Sequence, residues 1–145
     1  MTATLDRSSA ARTVDVRPFN AALGAEVICG DVKALDDAAF GQVYRAFLDN
    51  LVLLIRGQSL SVPELLAFGR RFGPLTVGAP VHIGQKPRDE RHPELAIISN
   101  VIENGLAIGG LGDGEAVWHT DSAFTDVPPA VSADRKSTRL NSSHR

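Results

Sequence analysis

The chain has 145 residues, 43% of them hydrophobic, with 15 basic and 17 acidic residues for a formal net charge of -2. That length suffices for one domain with a core, no apolar run approaches the length of a membrane span, and the charge leaves no footprint for nucleic acid or an anionic membrane. A single cysteine, Cys29, excludes an internal disulfide and a cysteine-based zinc site and suits a reducing, cytoplasmic compartment, where its default role is that of a small buried strand residue.

Residues 1–12 are rich in Ser, Ala and Thr, carry two arginines and lack the continuous apolar core of a signal peptide, so a disordered terminus is expected. Order is expected from Thr13. Residues 13–19 alternate at period two and residues 24–30 form a short apolar run between glycines; both read as strands suited to pairing. From Asp36 the period changes. Phe40, Val43, Tyr44, Phe47, Leu48 and Leu51 recur at helical spacing, with Asp37, Gln42, Arg45 and Asp49 on the other face, which predicts an amphipathic helix buried along the first set. Tyr44 then belongs to core or interface rather than to catalysis. Residues 51–55 are continuously apolar and read as a strand buried on both faces. Ser61-Val62-Pro63-Glu64 is a capping box with proline in the first turn; the helix it opens runs through Leu65, Leu66, Phe68 and Phe72 to Gly73-Pro74, with Arg70 and Arg71 suiting the dipole of its last turn.

Residues 76–94 mix glycines, prolines and charges in a long irregular segment that contains His82 and His92, both read as surface loop histidines. Residues 95–101 read as a strand and residues 103–114 as a Gly-rich loop. That loop has neither the spacing of a dinucleotide fingerprint nor a following Gly-Lys-Ser/Thr, and its expected role is close backbone approach beside the next strand. Val117 and Trp118 lead into His119-Thr120-Asp121. Side chains two apart on an extended strand point the same way, so an imidazole and a carboxylate converge. With one further ligand and open positions, that is the donor set of the non-haem Fe(II) oxygenases; zinc is an alternative occupant. The spacing alone is a weak signal, since His92-Pro93-Glu94 repeats it within a charged turn whose proline removes a backbone donor. Asn100 and Glu115 are polar groups near the predicted site, available to substrate or to local backbone.

Gly112-Asp113-Gly114-Glu115, Trp118-His119-Thr120-Asp121 and Pro128-Pro129 together resemble the signature of the taurine dioxygenase and dichlorophenoxyacetate dioxygenase (TauD/TfdA) family. The resemblance extends upstream through Gly24-Ala25-Glu26, Leu53-Leu54-Ile55-Arg56-Gly57-Gln58, Phe68 with Phe72-Gly73-Pro74-Leu75, and Ile98-Ser99-Asn100-Val101, in the family's order over about residues 14–132. It implies an enzyme using Fe(II), with 2-oxoglutarate and O2 as co-substrates, to hydroxylate a small and anionic organic molecule with release of succinate and CO2. It also implies that His119 and Asp121 are metal ligands rather than acid–base catalysts, joined by a distal histidine and a co-substrate-gripping arginine further downstream. Neither distal residue can be assigned, since the only histidine after Asp121 is His144. Taurine dioxygenases resemble one another in a histidine shortly after the Phe-Gly-x-Leu segment, where this chain has Thr76-Val77-Gly78-Ala79. The chain departs from the taurine pattern.

The fold class expected is α+β, mostly β: a partial double-stranded β-helix (jelly roll) with two N-terminal amphipathic helices, truncated before barrel closure and inactive by itself. A different class, a non-catalytic cupin-like jelly-roll binding or structural protein in which His119 and Asp121 complete a core network, is the alternative. Residues 13–132 make up the expected domain, and the expected partners are a small-molecule substrate and O2, with homo-oligomerisation left open. Residues 133–145 hold four basic residues, one acid and a single large apolar residue, and from Asp134 to His144 they look like the translation of a sequencing adapter. They are expected to be foreign to the domain.

Overall fold

The computed structural model describes residues 13–77, 91–99, 101–109 and 125–136. The chain divides into two compact units, Met1–Leu60 and Ser61–Arg145. The expected disordered terminus, residues 1–12, lies outside the described residues.

In the first unit β1 (Asp15–Pro18) pairs antiparallel with β2 (Ala25–Ile28), which pairs in parallel with β3 (Leu53–Leu54), giving the order β1-β2-β3. The β1–β2 connection closes through Phe19 N–H donating to the Gly24 carbonyl at 2.9 Å. Gly24 has φ +99, and a Cβ there would lie 2.8 Å from the Phe19 ring, so the turn needs glycine on two counts. Along β2 the pleat alternates as a half-buried strand must: Ala25 and Val27 are buried, Glu26 is intermediate and Ile28 is exposed.

Parallel strands need a crossover, and the segment from β2 to β3 supplies it. A 3-10 turn at Val32–Ala34 opens with the Asp31 carboxylate accepting from Lys33 N–H and buries Val32. The helix α1 (Asp37–Asn50) then starts with the Asp36 carboxylate accepting from Ala39 N–H at 2.7 Å and with Asp37 in the first turn, both favourable at the positive end of the helix dipole. It stops at Leu51, which takes φ 65 while its N–H donates to Phe47 O at 2.7 Å.

Two expectations are corrected in this unit. The buried face of α1 is Ala39, Val43 and Ala46, whereas Tyr44, Leu48 and Leu51 are exposed. Val43 belongs to the expected stripe and Phe40 and Phe47 of that stripe are half-buried, but the buried set is completed by Ala39 and Ala46, on the side of the stripe away from Tyr44 and Leu48. Small side chains let helix backbone and sheet approach closely, and a count of large apolar residues passes over alanine. The second correction concerns residues 51–55: β3 spans only Leu53–Leu54, half-buried at a sheet edge, with Leu51 and Val52 exposed. The first residue of that apolar run is consumed in ending α1, and the next two backbone steps carry the chain into register with β2.

In the second unit, α2 (Val62–Arg70) begins as the capping box requires, with Ser61 N–H and Ser61 Oγ both donating to Glu64 Oε2 at 2.7 Å and proline in the first turn. It buries Leu65 and Leu66. The end is a tightened turn in which Arg71, Phe72 and Gly73 N–H donate to carbonyls three residues back, while the Phe68 and Phe72 rings meet edge to face at 5.4 Å. Arg70 pairs with Glu94 at 3.1 Å.

Of the strand expected over residues 95–101, residues 95–99 and 101 join no ladder among the described residues, and Ile97 and Ile98 are exposed. The pairing lies one step later, where β4 (Ile102–Glu103) and β5 (Leu106–Ala107) form an antiparallel hairpin with Ile102 opposite Ala107 and Glu103 opposite Leu106. Asn104 and Gly105 have φ 52 and 78, the two left-handed positions of a two-residue hairpin turn. This overturns the reading of residues 103–114 as a loop from its first residue. Asn-Gly between strand formers was the signal for it.

Candidate functional site

Every residue assigned to the predicted site, His119, Asp121, Asn100 and Glu115, lies outside the described residues, as do His82 and His144. Among the described residues no group of three or more His, Cys, Asp or Glu is placed to hold a metal ion. His92 is in the turn expected of it, its carbonyl accepting from Leu95 N–H at 3.1 Å, although it is half-buried rather than fully solvated.

The described chain does lead up to the segment of interest. Beyond the β4–β5 hairpin, Ile108 N–H donates to Val101 O at 3.0 Å. Gly109 then passes so close to residues 97–99 that a Cβ on it would lie 2.5 Å from Ser99 N and 2.6 Å from Ile97 O, both backbone atoms that cannot yield. The close approach at Gly109 is directed at residues 97–99, whereas the approach expected beside the strand of His119 and Asp121 lies outside the described residues. Ser99 Oγ accepts from Val101 N–H at 3.1 Å, a local turn that diverts the backbone from a regular ladder.

The first unit holds an open pocket of about 360 Å³ between the turn after β2 and the segment after β3. Its side chains bind one another. Arg56 Nε donates to Glu26 Oε1 at 2.8 Å; Gln58 Nε2 donates to Gly30 O and Arg56 O, while Gln58 Oε1 accepts from Val32 N–H at 3.0 Å. Lys33 Nζ donates to Ser59 O at 3.0 Å and stands 3.5 Å from the Asp31 carboxylate. Such an arrangement ties the two ends of the crossover together and leaves positive and negative groups balanced. Of the segments Gly24-Ala25-Glu26 and Arg56-Gly57-Gln58, to which the sequence assigns no individual roles, Glu26, Arg56 and Gln58 form this polar clasp. Cys29 lines the same pocket, buried, and burial followed by the nearby Asp31 charge pushes its thiol pKa up, which keeps it protonated and a poor nucleophile.

The class to which the chain belongs is shown by comparison: residues 15–133 match the family described as "Taurine catabolism dioxygenase TauD, TfdA family", and the chain is a member of it. It is 37% identical over 109 residues to pentalenolactone F synthase of Streptomyces arenae, covering 74% of this chain and 34% of that protein. With the alpha-ketoglutarate-dependent 2,4-dichlorophenoxyacetate dioxygenase of Cupriavidus pinatubonensis it shares 34% identity over 100 residues, 63% of this chain and 34% of the relative. The (S)-phenoxypropionate/alpha-ketoglutarate-dioxygenase of Sphingobium herbicidovorans is 31% identical over 121 residues, 78% of this chain and 37% of the relative. The chain thus spans about a third of the length of the curated relatives it matches. A crystal structure of a taurine dioxygenase from Burkholderia xenovorans is similar at 33% identity with a TM-score of 0.48, over 55% of this chain and 28% of that one. No described helix is long and apolar enough to cross a membrane.

Proposed function

We propose that this chain supplies part of the active site of an Fe(II)- and 2-oxoglutarate-dependent dioxygenase acting on a small carboxylate-bearing molecule. The observation that carries this reading is His119-Thr120-Asp121, inside the segment matched to the family. A neutral imidazole and an ionised carboxylate two residues apart suit Fe(II), with a third ligand and an arginine for the co-substrate supplied from beyond these residues. Fe(II) and 2-oxoglutarate (alpha-ketoglutarate) would supply the O2-dependent oxidation when bound, with succinate and CO2 released. His119 and Asp121 hold the metal and transfer no proton; Asn100 and Glu115 are proposed to touch substrate, Asn100 as a neutral donor.

Two observations support a carboxylate substrate over taurine. Two of the relatives are named for dichlorophenoxyacetate and phenoxypropionate, both carboxylates. The segment after Leu75 reads Thr76-Val77-Gly78-Ala79 and carries no histidine for a sulfonate. The complete domain is proposed to be a jelly roll in a cytoplasmic protein, to which residues 13–132 contribute both helices and the opening strands. The family match ends at residue 133, which supports reading residues 133–145 as foreign to that domain.

The test is succinate formation by protein holding the complete ligand set, assayed with Fe(II), 2-oxoglutarate and a panel of aryloxyalkanoates. His119→Ala and Asp121→Ala are each expected to abolish it, with His92→Ala active. Turnover retained in either ligand variant would overturn the site assignment. Failure of the unaltered protein to consume 2-oxoglutarate with every substrate would favour the non-catalytic jelly-roll reading.

A further inference from the structure

We draw no further inference here: the strongest candidate, the exposed apolar corner formed by Phe19, Leu23, Leu51 and Val52 where the β1–β2 turn meets the end of α1, carries nothing because no described residue or bound molecule shows what covers it.

Discussion

Gln58 and the Glu26–Arg56 pair sit side by side yet differ in weight. Arg56 is 70% exposed, so solvent screening and side-chain entropy leave its ion pair worth less than about 1 kcal/mol. Gln58 engages three backbone groups from two segments, and its loss leaves the Val32 N–H without its acceptor. Gln58→Ala is expected to cost about 1–2 kcal/mol and Glu26→Gln less, as read by urea denaturation; the reverse order would show that the charge pair holds the crossover. Cys29 adds a pH dependence whose sign follows from its raised pKa. Above the ordinary thiol value the unfolded chain loses its thiol proton first, so the folded state binds more protons and stability falls as pH rises until the folded thiol also ionises. Below the ordinary value the contribution is constant. Cys29→Ala is expected to flatten the alkaline fall, and an unchanged slope would place its origin elsewhere.

Element by element, the helix starts were more legible than the faces. The change of period at Asp36 and the Ser61–Glu64 box act within a few residues, so both helix starts could be read from local sequence, whereas α2 ends at Arg70, short of the Gly73-Pro74 stop expected for it. Glu64→Ala removes the acceptor of two short bonds to Ser61 and is expected to cost about 1 kcal/mol. At the hairpin, Gly105→Ala must hold a Cβ at φ 78, and a penalty of about 1–2 kcal/mol is expected although nothing lies within 4 Å of that Cβ. Gly109→Ala meets backbone at 2.5 Å and is expected to disturb the 97–109 region more severely than Gly105→Ala. Amide exchange across residues 97–109 in the two variants decides between conformational strain and steric clash.

For the whole molecule, the proposed ligand set sets the expectation. Residues 1–145 supply His119 and Asp121 and, apart from His144 in the basic tail, no histidine after them. A two-donor site holds Fe(II) weakly. Purified residues 1–145 are therefore expected to produce no succinate from 2-oxoglutarate with added iron, and exposed Leu51, Val52, Ile97 and Ile98 are expected to promote self-association visible by light scattering. A monodisperse preparation with measurable turnover would show that the site is complete within these residues.

The sequence by itself determined the family, the pairing partners β1 and β2, the helix starts and the His119-x-Asp121 spacing, because each depends on residues close together in the chain or on motifs in fixed order. Tertiary structure decided which face of α1 is buried: of the expected stripe Val43 is fully covered, and Ala39 and Ala46 join it where the helix lies against the sheet, while Tyr44, Leu48 and Leu51 stay exposed. It shortened β3, because ending α1 used the residue that an apolar run had assigned to the strand. It also joined Glu26 to Arg56 and Gln58 to Gly30 across separations of 30 and 28 residues. Chain-local rules cannot see such contacts: they form only when the parallel crossover brings the two turns together.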